Sequence, residues 1–472
     1  MNNLILIFPE IFISLSLMIL LIFGVFKKKS ENLVYNFTIL ILLVLLALVV
    51  NLISTNKTFL FNESYISDEL SIFMKILIIV SGIFVMMSSY KYLKLINILK
   101  IEYPILLMSS ILGMMVMISS NDLIVFYLGL EIQAISLYVL ASFNRDNLLS
   151  TESGTKYFVL NALSSGLLLY GCSLIYGFSE TTNFNLISSN NINTINYGIT
   201  FGLVFVLVGL AFKISAVPFH MWAPDVYHGS PTSVTLFFTI LPKIAALTVL
   251  IRFLYIAFGN LIEQWQLIII FLSIASMIFG AVAAIGQKNI KRLAAYSSIG
   301  HMGYVLAGLA TGTNQGIHSS IIYITIYAAM NIALFSCILM LKRDNKYYEN
   351  IDDLSGLSKN HPILSLCLLI ILFSLAGIPP LAGFFAKFYI FMSVIEKSMY
   401  TLAIIGLLST VIAAFYYLRI IKIIYFDPEK EKFDSDHHIG LKISLFLSTL
   451  FILLYFIYPS ELTNIVSKIN II

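Results

Sequence analysis

Apolar runs long enough to cross a lipid bilayer recur along the whole chain. A transmembrane helix needs about 20 consecutive apolar residues, and the sequence has about fourteen such runs separated by short polar stretches. They fall at 3–26, 34–54, 70–90, 103–120, 122–143, 156–178, 197–217, 231–256, 262–285, 293–311, 317–341, 363–394, 400–424 and 441–463. Hydrophobic residues make up 59% of the 472 residues and charged residues 11%, unlike a soluble domain. The sequence therefore predicts an all-α integral membrane protein with about fourteen transmembrane helices.

The polar stretches leave no room for a soluble domain, because the longest, from Ser179 to Asn196, is shorter than an independent fold. The first run lacks the basic start and the cleavage site of a signal peptide, so a retained helix is expected. No nucleotide-binding glycine motif and no basic stripe for nucleic acid occurs in the sequence. Cys172, Cys337 and Cys367 are isolated inside apolar runs, which gives no metal site. The visible chemistry is proton handling.

Basic residues concentrate in the loops that follow odd-numbered runs. These loops contain Lys27, Lys28, Lys29, Lys91, Lys94, Lys100, Arg145, Lys288, Lys291, Arg292, Lys342, Arg343, Lys346, Lys359, Lys422, Lys430 and Lys432. The loops after even-numbered runs contain essentially Lys57 and Lys397, with Arg252 at a helix end. By the positive-inside rule, the odd loops face the cytoplasm or the mitochondrial matrix, and both termini face the opposite side.

Four ionisable residues lie inside apolar runs: Glu131, Lys213, Lys243 and Lys387. Such a residue costs at least a few kcal/mol in lipid, so it normally faces the bundle interior and marks a pathway or a pair. Glu131 and Lys243 lie roughly 14 Å and 18 Å into their helices at the helical rise, too deep to reach the surface. The proton affinity of Lys213 would depend on its distance from Glu131, so this lysine is expected to be charged conditionally. Lys75, near the start of its run, is instead expected to extend its stem to the interface.

Prolines inside two runs predict broken helices. Pro218 interrupts the seventh run, and Pro379–Pro380 interrupt the twelfth and free the carbonyls of Leu375 and Ala376. A broken helix in each half is typical of inverted-repeat transporters, and a shift of five helices reverses orientation. The pattern predicts two inverted five-helix repeats, in runs four to eight and nine to thirteen. The divisions are an N-terminal three-helix segment (1–100), the first repeat (101–256), the second repeat (257–426) and a final helix (427–472).

Two histidines are candidate relay residues. His301 lies between glycines in the tenth run, and an imidazole gains or loses its proton near neutral pH. A packed, hydrogen-bonded core histidine is the alternative at this position. His220, two residues after Pro218, is the other candidate, and His318 is a weaker one.

Three motifs carry a resemblance to a known family: "FKISAVPFHMWAPDVYHGSPTSVTLFFTILPKIAAL", "KNIKRLAAYSSIGHMGYVLAGL" and "FSLAGIPPLAGFFAKFYIF". Together with "FPEIF" and "YLGLEIQAISLYVL", they resemble the antiporter-like membrane subunits of respiratory complex I, and among these the subunit N branch, called subunit 2 in mitochondria. The resemblance covers nearly the whole chain. It implies a fourteen-helix subunit that couples electron transfer from NADH to quinone, elsewhere in the complex, to proton pumping.

The resemblance also implies roles for individual residues. Glu131 matches the family's carboxylate on the fifth helix, and Lys213 matches its partner on the broken seventh helix. Lys243 matches the central lysine on the eighth helix, and Lys387 matches the twelfth-helix residue that leads to the exit side. No cofactor is implied in this subunit, since NAD, FMN, iron–sulfur clusters and ubiquinone belong to other subunits.

The implied partners are other membrane-arm subunits: the antiporter-like subunit M (mitochondrial subunit 4), the small subunit K (4L) and the lateral helix of subunit L (5). Membrane lipids are expected around the chain, and nucleic acid is not. The motifs favour the mitochondrial inner membrane, with a bacterial plasma membrane as the alternative. A subunit of a multi-subunit cation/proton antiporter and a purely structural scaffold remain alternative functions.

Overall fold

The computed structural model describes residues 2–27, 29–53, 57–190 and 197–470, and helices lie over all of the predicted runs. Lys28 of the first basic loop and residues 191–196 of the longest polar stretch lie outside the described residues. The helices are α1 (Asn2–Phe26), α2 (Glu31–Val50), α3 (Glu69–Leu95), α4 (Glu102–Ile118), α5 (Leu123–Ala141), α6 (Leu148–Ser179), α7 (Phe184–Asn190), α8 (Tyr197–Lys213), α9 (Trp222–Gly229), α10 (Thr232–Arg252), α11 (Ile262–Ile285), α12 (Ile290–Ala310), α13 (Asn314–Ile338), α14 (Leu357–Asn360), α15 (Pro362–Ala376), α16 (Ala382–Glu396), α17 (Tyr400–Phe426), α18 (Ile439–Leu454) and α19 (Pro459–Ser467).

Two short antiparallel hairpins complete the secondary structure. The first pairs β1 (Thr58–Leu60) with β2 (Tyr65–Ser67), and the second pairs β3 (Lys342–Arg343) with β4 (Lys346–Tyr347). A π-helical turn, Phe253–Ala257, extends α10.

The number of clear membrane spans is smaller than the number of apolar runs. Nine helices of the described residues are long and apolar enough to cross a membrane, or ten if the bent pair α18 and α19 forms one span. Three further apolar helices, α4, α8 and α15, are shorter. Two of these, α8 and α15, are short because a proline break ends them before a full bilayer thickness. The structure thus shows a helical membrane protein, with nine or ten spans by this criterion in the part of the chain that it describes.

The predicted break in the seventh run is present. α8 ends at Lys213, α9 begins at Trp222, and Pro218 lies in the irregular segment between them. The Trp222 indole Nε1 donates a hydrogen bond of 2.9 Å to the carbonyl of Phe212, in the last turn of α8. The side chain of Trp222 thereby caps the C-terminal end of α8, because the last carbonyls of a helix have no intrahelical partner.

The break in the twelfth run is also present, and Lys387 binds its free carbonyls. α15 ends at Ala376, and the Lys387 Nζ on α16 donates to the carbonyls of Leu375 and Ala376 at 3.2 and 2.8 Å. Gly377 follows with a φ of +90°, a conformation that favours glycine. A Cβ there would lie 2.9 Å from the Lys387 side chain, so glycine also leaves room for the lysine.

The most buried helix carries Lys243. Every residue of α10 is buried, because α3, α4, α8, α12 and α13 pack around it. Most residues of α12 and α13 are buried as well. A polar group on any of these three helices must find its partner inside the protein, since no lipid or water surrounds it.

Ion pairs join the two halves of the chain at one end of the bundle. Asp225 in α9 accepts hydrogen bonds from Lys156 of α6 at 2.7 Å and from Arg292 of α12 at 2.9 Å. Lys291, the neighbour of Arg292, forms an ion pair of 2.8 Å with Glu349. The Asp225–Arg292 contact joins α9 of the first half to α12 of the second, while the other two pairs attach α6 to α9 and α12 to the loop after α13.

The expectation that Lys75 extends to the interface is wrong. Its side chain is 3% exposed and forms an ion pair of 2.5 Å with Glu10, which is 6% exposed. The hydroxyl of Tyr65 accepts a hydrogen bond from Lys75 at 2.9 Å and donates one to Glu10 at 3.0 Å. The lysine stays inside because Glu10, within the apolar α1, compensates its charge there.

Candidate functional site

Lys243 lies at the centre of the bundle and is bound by neutral groups. Its side chain is 1% exposed, and its Nζ donates a hydrogen bond to the hydroxyl of Ser298 on α12. Tyr327 on α13 donates to the same hydroxyl at 2.8 Å. The Nζ also lies 5.8 Å and 5.9 Å from the ring centroids of Tyr227 and Tyr327, within cation–π range. Among the described residues, no carboxylate forms an ion pair with Lys243.

His301 connects α12 to two neighbouring helices. Its Nδ1 lies 2.7 Å from the hydroxyl of Tyr323 on α13, and its Nε2 lies 3.3 Å from the hydroxyl of Tyr417 on α17. The Tyr417 hydroxyl is in turn 2.5 Å from that of Ser297. The His301 ring lies 5.2 Å from the ring of Tyr327, which contacts Lys243 through Ser298.

Lys387, on α16, lines a small cavity together with His301. Its Nζ is 5.3 Å from the ring centroid of Tyr304, and Lys387 and Lys243 both act electrostatically on His301. A cavity of about 10 Å³ lies between Lys387, His301 and Tyr417, a volume at the lower limit for one water molecule. We call this group of neighbouring side chains the lysine–histidine network: Lys243, Ser298, Tyr327, His301, Tyr323, Tyr417, Ser297 and Lys387. Its hydrogen bonds form two groups, one around Lys243 and one around His301, and Lys387 lies across the small cavity from His301.

Glu131 and Lys213 are within electrostatic range of each other but not in contact. Lys213 is buried at the end of α8, and the charge of Glu131 acts on it. Among the described residues no ion pair within 4.0 Å includes either of them, and the Glu131 Oε1 is buried without a hydrogen-bond partner. The two side chains of the predicted pair are therefore not in direct contact in this structure.

The other two candidate relay histidines, His220 and His318, lie outside the lysine–histidine network. His220 is buried in the break after α8, where its ring lies 4.4 Å from that of Phe279 and its Nδ1 has no hydrogen-bond partner. His318 hydrogen-bonds the carbonyl of Ile469 at 2.7 Å. The structure thus brings His301 together with Lys243 and Lys387, and it places His220 elsewhere.

The tyrosines of the network were not singled out in the sequence. Tyr323 and Tyr327 are four residues apart on α13, so they project from the same face of that helix. Tyr417 comes from α17, 120 residues after the serine that it contacts. The hydroxyl spacing on α13 was readable from the sequence, but the contact from α17 depends on tertiary packing.

Metal chemistry has no visible ligand set. No group of three or more His, Cys, Asp and Glu side chains able to hold a metal occurs within residues 2–27, 29–53, 57–190 and 197–470. The three cysteines are free.

A family model described as "NADH:quinone oxidoreductase/Mrp antiporter, TM" matches residues 120–413. This range includes Glu131, Lys213, Lys243, His301 and Lys387. The NADH-quinone oxidoreductase subunit N of Pelagibacter ubique (strain HTCC1062) is 71% identical over 472 residues, covering 100% of both chains. The chain belongs to the subunit N family of NADH-quinone oxidoreductase.

Two solved structures share the fold of the chain. A chain of respiratory complex I from Thermus thermophilus with bound aureothin has a TM-score of 0.83 at 26% identity and covers 97% of this chain and 98% of that chain. A chain of the Mrp complex from Dietzia sp. DQ12-45-1b has a TM-score of 0.87 at 19% identity, with 98% and 96% coverage. At that identity the Mrp likeness shows the fold alone, so it supports the antiporter alternative less than the 71% identical subunit N relative supports complex I.

Proposed function

We propose that this chain is a proton-translocating membrane-arm subunit of NADH-quinone oxidoreductase and that protons pass along the lysine–histidine network. The observation that carries the proposal is the position of Lys243, which is buried in the centre of the bundle and hydrogen-bonded to a hydroxyl rather than to a carboxylate. A permanently charged lysine there would lack a counter-ion. A lysine that takes up and releases a proton explains why the position is ionisable at all.

The hydroxyl and imidazole groups around Lys243 suit proton transfer. A hydroxyl donates one hydrogen bond and accepts another, and an imidazole carries a proton on either ring nitrogen. Ser298 and Tyr327 offer donors and acceptors beside Lys243, and Tyr323 and Tyr417 offer them beside His301. The rings of Tyr327 and His301, 5.2 Å apart, bring the two groups together. The small cavity beside Lys387 would let one water molecule connect Lys387 to His301 or Tyr417.

Lys387 is a candidate gate for this path. Its two backbone acceptors are at the C-terminal end of α15, where the helix dipole favours a cation. Any movement of α16 away from α15 would remove both hydrogen bonds and lower the proton affinity of the lysine. Glu131 and Lys213 would gate proton transfer in the first half of the chain, because the distance between them sets the proton affinity of Lys213.

The proposed architecture has about fourteen transmembrane helices and two inverted repeats. Two observations support it: helices cover every apolar run, and one break occurs in each half. We assign residues 1–100 to the N-terminal three-helix segment, 101–256 and 257–426 to the repeats, and 427–472 to the final helix. The basic loops after odd-numbered runs would face the cytoplasm, and both termini the opposite side.

The proposed partners are the other subunits of the complex. Subunits M and K and the lateral helix of subunit L are the specific candidates, and the redox cofactors would reside in subunits other than this one. The named relatives are bacterial, such as that of Pelagibacter ubique. A bacterial plasma membrane is therefore better supported than the mitochondrial inner membrane that the motifs favoured.

Replacing His301 by glutamine tests the relay. Glutamine keeps a hydrogen-bonding side chain but carries no transferable charge, so proton uptake into vesicles that contain the whole complex should fall by about tenfold or more. His318→Gln is the matched control, because His318 lies on the adjacent α13 and bonds a backbone carbonyl outside the network. Equal proton uptake in His301→Gln and wild type would contradict the relay and favour a packed core histidine.

The antiporter alternative predicts that different subunits copurify with the chain. A subunit of a multi-subunit cation/proton antiporter would copurify with small antiporter subunits and exchange sodium for protons without NADH. A complex I subunit would copurify with flavin and iron–sulfur subunits. The likeness to the Mrp chain favours testing this alternative directly.

A further inference from the structure

A second cavity, remote from the lysine–histidine network, opens between α15 and α18 and has a volume of about 490 Å³. His361, His437 and Lys442 line one end of it, and Cys367, Leu445 and Thr449 line the other. Volumes of this size hold small organic ligands. The cavity therefore has a basic end and a mainly apolar end.

The two ends lie at different depths in the membrane. α15 begins at Pro362 and α18 at Ile439, so His361 and Lys442 lie at or near helix starts. Thr449 follows Lys442 by seven residues, or about 10 Å along the helix. The basic end is thus level with the membrane surface, and the apolar end reaches into the hydrocarbon region.

The basic end has an excess of positive charge. Among the described residues no carboxylate forms an ion pair with Lys442. The nearby carboxylates are already engaged, since Asp434 lies 3.6 Å from Lys342 and Asp436 lies 2.5 Å from Lys91. An anion could therefore approach Lys442 without displacing a protein carboxylate.

His361 and His437 also indicate that the basic end of the cavity is suited to an anion. The His361 Nε2 is buried without a hydrogen-bond partner. Partial burial, together with the neighbouring charges of Lys342, Lys442, Lys91 and His361, lowers the pKa of His437 to about 4. A site with an orphan ring nitrogen and converging positive charges is complementary to an anionic group.

The apolar walls of the cavity indicate which kind of molecule the anionic group belongs to. Ile363 and Phe446, which also line the cavity, are 78% and 62% exposed. In a membrane such side chains face lipid, so the cavity is open to the hydrocarbon along its length. A free phosphate ion would use only the basic end and would leave the apolar part uncovered.

We propose that this cavity binds an anionic phospholipid. The phosphate lies at Lys442, His361 and His437, and one acyl chain lies between α15 and α18 beside Cys367 and Leu445. Basic pockets between transmembrane helices at the membrane surface bind lipid headgroups by this combination of charge and apolar contact.

The test uses the whole complex in phosphatidylcholine nanodiscs doped with a phosphatidylglycerol analogue that carries a diazirine in one acyl chain. After irradiation, labelled peptides are mapped by mass spectrometry. Labelling is expected on residues 361–367 and 439–449. Lys442→Gln should reduce it about fivefold, the factor that one basic residue near an anionic surface contributes. Lys359→Gln is the matched control, because Lys359 is exposed on the adjacent α14 and does not line the cavity.

Three outcomes would overturn the proposal. Equal labelling by a phosphatidylcholine analogue would show that the charge selects nothing. Loss of labelling on addition of inorganic phosphate would identify a site for the free ion. No labelling of these residues in the assembled complex would show that another subunit covers the cavity. Competition by unlabelled phosphatidylglycerol, with no effect of phosphate, is the supporting result.

Discussion

Proton pumping by the complex is expected to fall at least about a hundredfold when Lys243 is replaced by methionine, a loss within the range for a positioned proton-transfer group. Methionine is similar in length to lysine, so the packing around α10 is kept. The substitution removes the ionisable group of Lys243 and leaves Arg252, at the end of this buried helix, unchanged. Ser298 and Tyr327 remain hydrogen-bonded to each other in the variant. The measurement is NADH-driven acidification of membrane vesicles, followed with a pH-sensitive dye.

The stability of the complex should hardly change in Lys243→Met, because exchanging a buried charge for an apolar group is often neutral or stabilising. Lys397→Met is the control for the loss of a lysine, since Lys397 is exposed after α16. Wild-type acidification by Lys243→Met in an intact complex would remove Lys243 from the path.

Replacing Lys75 by methionine is expected to destabilise the protein strongly. Glu10 would then be a buried carboxylate without a counter-ion, at a cost of about 3–5 kcal/mol. The double variant Glu10→Gln/Lys75→Met removes both charges and should recover most of the loss. The measurement is the yield of assembled complex on native gels, together with the temperature at which the complex dissociates.

Lys94→Met is the matched control for Lys75→Met, because Lys94 lies on the same α3 and is exposed. Rescue by the double variant separates a charge effect from a packing effect, since the packing change at residue 75 is common to both variants. If the double variant assembles no better than Lys75→Met, the ion pair is not the source of the stability.

The positions of the helices could be predicted from the sequence because they depend on local properties. Apolar runs of bilayer length and in-run prolines determine where helices form and break, and helices cover the predicted runs with breaks at Pro218 and Pro379–Pro380. The burial of Lys213, Lys243 and Lys387 also followed, since a charge deep in an apolar run must face protein.

The contacts between distant helices could not be predicted in the same way. The phenol of Tyr417 reaches His301 across 116 sequence positions, and a single sequence does not encode which face of α17 packs there. The same limit explains the wrong prediction for Lys75, because the sequence shows only that this residue lies near the start of a helix. Its partner Glu10 lies 65 residues earlier, in α1.

The separation of Glu131 from Lys213 could not be predicted from the sequence either. Both side chains lie where the runs place them, but the distance between them depends on how α5 packs relative to the end of α8. That distance is the variable on which the proposed switching depends, because the interaction between two charges falls with their separation.

The most direct test of the central claim is the number of protons taken up per NADH oxidised by the whole complex in liposomes, for wild type, Glu131→Gln and Lys213→Met. Native gels establish that each variant is assembled. The account predicts that NADH oxidation and proton uptake fall together in both variants while the complex stays intact. Wild-type values for both activities would contradict it and would leave this chain as a structural scaffold.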